Sequence, residues 1–502
     1  MAAAGTLVLP RVDALGSALL FFGVCAVAAF ILLAPFRAAP YPAMADYPNH
    51  LARAQIIVDE LAGRSHPFYQ VRPALVPNLA LDTLVPLGVR LGLTTNDALR
   101  LFAALALLMP LAGVIAMGFA LQGGVPWLAL LALPLGYSRY YAWGFLNYFF
   151  ALGLAFLGFA LWVQLRRSSV PATIALAACG LLALLAHLAG FALLALLVAC
   201  HEASHWREPG RRALGAALAM AFCACAYVLF FEHDLPLSLA WQESALIKAR
   251  NLASPFVSYA LLPGLLLAAA WMAILFVARR QGTLRLLAGW RLLLAVLALL
   301  VLALPSMAMN SYFLTARLVV VVPLVFLAYA RFDGGTRGKI ALSVAALALV
   351  SLKAAEVRAE WRSFSEDIAR YRAAFQHLPA GARLATVAFA NGAGIVPARH
   401  AAAFAVIERD AFIPNFYGFP FNGESVAFRP QVRALAARSE KDHVIYGPAD
   451  GEPPWAFYCA HYDALFLLRL DAREPALPGC AQPVQTGHGF TLYRLSQRAA
   501  AR

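Results

Sequence analysis

Met44-Ala45-Asp46-Tyr47-Pro48-Asn49-His50 follows shortly after the first long apolar run of the chain, Leu15 to Leu33. Pro48 suits the first turn of a helix, where its missing amide proton costs nothing. Over a helix of about 47–62, positions 46, 50 and 53 recur at i, i+4 and i+7, so Asp46, His50 and Arg53 share a face. Ile56, Ile57 and Leu61 form a separate apolar stripe. The pattern predicts a helix along a membrane surface, one side buried and a polar row turned to a cavity. Two readings of Asp46 stand side by side. It caps the helix by accepting from the first-turn amides, or its carboxylate faces outward for chemistry. His50 and Arg53 fit a solvated surface as well as a binding row.

The surroundings make this a membrane protein. The chain has 502 residues, 62% hydrophobic and 13% charged, with a mean hydropathy of +0.70. Soluble domains carry about 25% charged residues. Apolar runs of spanning length recur from Leu15 to Val350 and are continuous rather than alternating, which predicts helices and not a barrel. The net charge of +14 is concentrated in short Arg-bearing loops between runs. That is the positive-inside pattern and excludes a nucleic-acid partner as its cause. Leu15–Leu33 lacks a small-residue cleavage site and reads as a retained span.

About eleven spans are expected, with the N-terminus inside behind Arg11. They fall at about 14–35, 98–121, 125–137, 145–165, two within 170–200, 213–231, 259–277, 292–305, 318–330 and 340–352. The pair within 170–200 is required because the Arg166-Arg167 and Arg207/Arg211/Arg212 clusters both belong inside; His187 and Gly190 mark the turn. Residues 36–98 become a first outer loop with helical patterns at about 47–62 and 79–91. Residues 353–502 become an extracytoplasmic α/β domain. It has an amphipathic helix from Glu356 to Phe375 and strands at Leu384–Ala390, His443–Tyr446, Ala464–Leu470 and Phe490–Leu495. Cys459 and Cys480 lie in that domain and either pair, if it is outside, or stay as thiols. The remaining five cysteines sit in apolar runs as small buried hydrophobes.

With these features the chain resembles the GT-C membrane glycosyltransferases, in particular the aminoarabinose transferase-like and rhizobial lipopolysaccharide sugar-transferase-like branch. Asp46 to Leu61 matches the acidic residue and juxtamembrane helix that follow span 1 in that family. Leu79 to Leu101, ending Asn96-Asp97-Ala98-Leu99-Arg100-Leu101, matches the second juxtamembrane helix and its entry into span 2. Arg317-Leu318 with Pro323 resembles the family's Arg-led entry into a late span. Many members carry two adjacent acids after span 1; here Tyr47 follows Asp46, which argues against a paired-carboxylate or tight metal site.

The resemblance implies sugar transfer from a polyprenyl-phosphate donor to an envelope glycan, lipid or protein acceptor, at the outer face of a bacterial inner membrane. A fixed carboxylate, Asp46, would take the acceptor's proton. A cation would hold the departing lipid phosphate. Arg317 is the first choice, with Arg139 and Arg53 as alternatives. Arg317 fits interfacial snorkelling as well. Tyr140, Trp143 and Tyr148 are candidates for a sugar or lipid groove, or else form an interfacial aromatic belt. His50 and His187 complete the candidate substrate contacts, His187 because ionisable groups at membrane depth tend to be functional. A divalent cation is left open as cofactor. Glu232-His233-Asp234 carries metal-binding residue types, but three consecutive residues rarely converge on one ion. Asn391-Gly392-Ala393-Gly394 reads as a turn. Two rival functions remain: a lipid-linked saccharide transporter or flippase, for which no internal repeat is found, and a non-catalytic assembly partner on a transferase scaffold.

Overall fold

The computed structural model describes residues 12–165, 169–206, 211–232, 239–241, 243–308, 311–390, 395–418, 425–440, 445–447, 450–471, 473 and 475–496. Arg11, Arg166, Arg167, Arg207, His233, Asp234, His443 and the Asn391–Gly394 turn lie outside the described residues.

Ten of the eleven predicted apolar segments each form a helical element, and the last, at about 340–352, is the first part of a longer helix. Among the described residues, six helices are long and apolar enough to cross a membrane: Leu15–Ala38, Thr95–Gln122, Leu146–Gln164, Arg212–Phe230, Leu261–Arg280 and Thr336–Phe375. Val170–Ala186, Leu188–Ser204, Trp290–Ala303 and Leu314–Tyr329 are shorter apolar helices. The segment expected at 125–137 is a 3₁₀ helix, Trp127–Leu135, with every residue buried. Pro134, lying within it, contributes no amide to a hydrogen-bond ladder.

The hairpin at His187 can be read from packing. A Cβ placed on Gly158 would lie 2.9 Å from Cβ of Cys179 and 3.4 Å from a methyl of Leu194. An unbroken helix would set those two residues about 22 Å apart. The chain therefore folds back at His187, whose extended backbone (φ −171°, ψ 132°) ends one helix and caps the next.

Two expectations need correction. The boundary drawn at 352/353 falls inside a single helix, Thr336–Phe375, of 40 residues and about 60 Å. Good helix formers run from Lys339 to Phe375 with no Gly or Pro to break them. Lys353, where the composition turns polar, is buried and held by the Glu356 carboxylate at 2.9 Å and the Phe256 carbonyl at 2.9 Å. The predicted apolar face of the second half (Trp361, Phe364, Ile368, Tyr371 and Phe375) is buried. The second correction concerns the helix Tyr47–Leu61. It does not float polar side up: Asp46, Asn49, His50 and Arg53 are all buried, whereas Leu61 is 58% exposed.

The polar C-terminal part is built on a five-stranded sheet in the order Ala481–Gly487, Phe490–Leu495, Ala464–Arg469, Leu384–Phe389, Ile445–Tyr446. Its centre is parallel and one edge antiparallel. Ala481–Gly487 is a strand that period-two reading missed; most of its residues are exposed or half-exposed. Cys459 and Cys480 are joined by a disulfide. Residues 36–98 pack against this part of the chain. Tyr69–Val71 pairs antiparallel with Val426–Phe428, Tyr69 opposite Phe428. The Tyr69 hydroxyl accepts from the Ile413 amide at 2.9 Å and donates to the Ile413 carbonyl at 3.2 Å. Residues 36–98 are thus joined to the C-terminal part of the chain.

Candidate functional site

Asp46 sits where three parts of the chain meet. Its backbone amide donates to the Trp143 carbonyl at 2.9 Å, and the Ala45 amide to the Ala142 carbonyl at 3.2 Å. These bonds dock the start of the first juxtamembrane helix, Tyr47–Leu61, on the aromatic segment Tyr137 to Trp143. Gly144 closes that segment at φ +102°. A Cβ there would come within 2.9 Å of the Asp46 Cβ, so both the backbone conformation and the close approach require glycine. The Gly144 carbonyl accepts from His50 Nε2 at 2.9 Å.

The Asp46 side chain does not cap its helix: it makes no bond to the first-turn amides. Its carboxylate turns instead towards the C-terminal domain. Tyr417 donates its hydroxyl proton to Oδ1 at 2.7 Å. His400 Nε2 lies 3.0 Å from that hydroxyl and 3.6 Å from the carboxylate. Arg399, next to His400, lays its guanidinium over the Trp143 ring at 5.6 Å. Burial pushes the Asp46 carboxyl up to about 6. The Tyr417 hydrogen bond, then the charges of Arg399, Arg317 and Arg53, oppose that rise. Burial and the Arg53 charge press His50 down to about 3. His400 is held well below its ordinary value by burial, Arg399 and His50. Both imidazoles are therefore neutral around a carboxylate that ionises near neutrality.

Arg317 enters from the late helix Leu314–Tyr329 and is nine-tenths buried. Its Nη1 is 3.0 Å from His187 Nε2. The guanidinium lies over Phe145 at 4.8 Å and Tyr148 at 5.7 Å, and the Tyr148 hydroxyl donates to the Arg317 carbonyl at 2.8 Å. Arg317 has no carboxylate partner among the described residues, and its Nε is buried without an acceptor. His187 Nδ1 accepts from the Ala189 amide, so the hairpin tip offers its other nitrogen to Arg317. Phe313, one residue before this helix, adopts the left-handed region at φ +63°, a strained place for a bulky side chain. Its ring packs on Tyr140, Trp143 and Phe145.

The sequence-selected residues thus divide. Asp46, His50, Trp143, His187 and Arg317 gather at one junction, with Tyr140 behind them in the aromatic cluster. Arg53 is a tie between the two juxtamembrane helices. Fully buried, it pairs through Nε with Asp82 of the helix Ala80–Arg90 at 2.9 Å, and the second Asp82 oxygen accepts from Ser425. Arg139 shares its surroundings with Tyr140 and Arg250, and its amide bonds to Ser254. The Asn96-Asp97-Ala98-Leu99-Arg100-Leu101 stretch is structural: Arg100 meets Asp97 and the Phe36 carbonyl, and Tyr47 donates to Asn96 at 2.9 Å. A cavity of about 350 Å³ borders Asp82 of that tie, lined also by Ile57, Arg72, Leu79 and Ser425 among others. No cluster of three metal-ligating side chains occurs among the described residues. Glu232 is engaged by Arg72. Sequence reasoning missed Tyr417, His400 and Arg399. The only local signal was an aromatic-rich loop, Asn415-Phe416-Tyr417, lying 371 residues from Asp46.

No protein-family model matches this chain, and no curated protein matches it. Solved structures do. The crystal structure of ArnT from Cupriavidus metallidurans in the apo state aligns with a TM-score of 0.51 at 13% identity, over 96% of this chain and 98% of that one. The same protein bound to undecaprenyl phosphate aligns over the same shares at the same identity, with a TM-score of 0.48. At 13% identity the likeness is one of fold, and it extends over nearly the whole chain. The chain shares its fold with ArnT, and six of its described helices are long and apolar enough to cross a membrane.

Proposed function

We propose that the chain is a membrane glycosyltransferase, moving a sugar from a polyprenyl-phosphate donor to an acceptor hydroxyl or amine at the outer face of the inner membrane, with inversion. The observation that carries the reading is the orientation of Asp46. A helix-initiating aspartate that does not cap its helix, and is instead buried under the charges of Arg399 and Arg317 from opposite parts of the chain, supports a role in proton transfer rather than in helix stability.

Asp46 is the base. A carboxyl that titrates near 6 is ionised at neutral pH and still basic enough to take a proton as the acceptor attacks the anomeric carbon. His50, pressed to about 3, is a far weaker base. Arg317 holds the departing lipid phosphate. Its guanidinium is anchored on two rings and His187, lacks an anion of its own among the described residues, and is desolvated, so a developing phosphate charge gains most there. Arg399 supplies a second positive charge from the C-terminal domain. The bridged Cys459–Cys480 pair supports placing the C-terminal part outside the cytoplasm, and the pairing of Tyr69–Val71 with Val426–Phe428 carries residues 36–98 with it.

The test is Asp46→Asn, expressed at the normal protein level in cells, with mass spectrometry of envelope glycolipids. Loss of one glycan modification is expected. An unchanged glycolipid profile overturns the assignment of the base.

A further inference from the structure

We infer that the C-terminal domain supplies the positioning arm of the active site: Tyr417 holds the Asp46 carboxylate, His400 fixes the Tyr417 hydroxyl, and Asn415 sets the tautomer of His400. The inference rests on the reading of Asp46 as the base and adds residues from a different domain to it.

The hydrogen-bond directions form one consistent chain. An ionised Asp46 only accepts, so Tyr417 spends its single proton on Oδ1 at 2.7 Å. The Tyr417 oxygen must then accept from His400 Nε2 at 3.0 Å, which assigns the proton to Nε2. Nδ1 is left as an acceptor, and the Asn415 amide lies 3.4 Å from it in the donating orientation. The arm is pinned to the first outer loop at two points. Asn49, on the Asp46 helix, donates to the Asn415 carbonyl at 3.2 Å. Tyr69 brackets the backbone of Ile413 through both its amide and its carbonyl. The loop that carries Tyr417 is thus registered against the helix that carries the base.

The chain orients; it does not relay. To receive a proton through Tyr417, His400 would need a free lone pair on Nε2, and that nitrogen is already the donor. Burial beside Arg399 and His50 also disfavours the imidazolium. Tyr417 therefore stabilises the ionised carboxylate, and its loss should make Asp46 harder to ionise. The other charged groups that act on Asp46 are Arg399 from the C-terminal domain, Arg317 from the helix Leu314–Tyr329, and Arg53 from its own helix. All of them remain in the variants below.

The full-length protein in lipid nanodiscs is treated with dicyclohexylcarbodiimide, which modifies protonated carboxyl groups, across a pH series. Labelling at Asp46 is read by peptide mass spectrometry. No substrate is needed. Tyr417→Phe, which removes one oxygen, should raise the labelling midpoint by about one pH unit or more, the worth of a hydrogen bond to a charged group. His400→Leu should move it the same way. His400→Gln, which restores an N–H at a similar reach, should leave it near the wild-type value. A role confined to packing would change the extent of labelling at every pH and leave the midpoint in place. An unmoved midpoint in Tyr417→Phe overturns the inference; should that variant fail to fold, an unmoved midpoint in His400→Leu does so. Glycolipid modification that survives Asp46→Asn, alongside a shifted midpoint in Tyr417→Phe, would overturn the base and leave the positioning arm standing.

Discussion

Replacing Asp46 with asparagine should stabilise this protein while silencing it, and the gain should depend on pH. The carboxyl is 5% exposed, and burial lifts it from 3.8 to about 6. Its proton is therefore bound more tightly in the folded chain than in the unfolded one. Such a group favours the fold below about pH 4, and that contribution is lost as the pH rises through about 6. Two units at 1.36 kcal/mol each give a difference on the order of 3 kcal/mol between acid and neutral pH. The asparagine side chain carries no charge to desolvate, and its carbonyl still accepts from Tyr417; the stronger bond that Tyr417 makes to the carboxylate is already contained in the value of about 6. The net expectation is a gain on the order of 3 kcal/mol at neutral pH that largely vanishes near pH 4. The assay is thermal unfolding of the full-length protein in nanodiscs, wild type against Asp46→Asn, at both pH values. Midpoints are compared rather than free energies, since a chain of this size does not unfold in two states. A rise of roughly a few degrees at neutral pH is expected. A variant that is less stable at neutral pH, or equally shifted at both, would show that Asp46 is a structural anion and would refute the reasoning.

Three further outcomes follow from other contacts. Arg317→Ala should lower the transfer rate by about 100-fold or more, the effect of removing one charge-stabilising donor, and Arg317→Lys should recover only part of it because the two ring contacts need a planar group; donor-to-acceptor transfer in membranes reads both. Asp82→Asn leaves Arg53 buried with its partner neutralised and should destabilise the chain by about 3–5 kcal/mol, whereas replacing both residues by apolar ones of similar volume should cost far less; denaturation midpoints of the single and double variants separate the cases. Gly144→Ala should abolish activity through displacement of Asp46, because the new Cβ meets the Asp46 Cβ at 2.9 Å from a backbone at φ +102°; a crosslink between cysteines placed at 46 and 417 in a Gly144→Ala background should form less readily than in the parent.

The membrane domain was legible because its signal is local. Apolar runs announce helices through length alone, and the break at His187 was forced by the charges on either side of it. The two juxtamembrane helices were placed to within a residue or two, at Tyr47–Leu61 and Ala80–Arg90. The continuous helix Thr336–Phe375 was misdivided because a change from apolar to polar composition looks like a boundary, although helix propensity never falls across it. The strand Tyr69–Val71 escaped notice because three residues carry no period, and its partner lies in the C-terminal domain.

By itself, the order of residues determined that the chain enters the membrane, where its helices begin, and that an aspartate, a histidine and an arginine would recur on one side of a helix. Those properties come from spacing along the backbone and from the thickness of lipid. Tertiary structure alone decided which of the three does what. The same helical face delivers Asp46 to Tyr417 and Arg53 to Asp82, so one acid is left with a hydroxyl donor beneath two distant guanidinium groups and one arginine is neutralised in a tie. The difference arises because burial and charge act through space, and the groups that set them lie hundreds of residues apart in the chain.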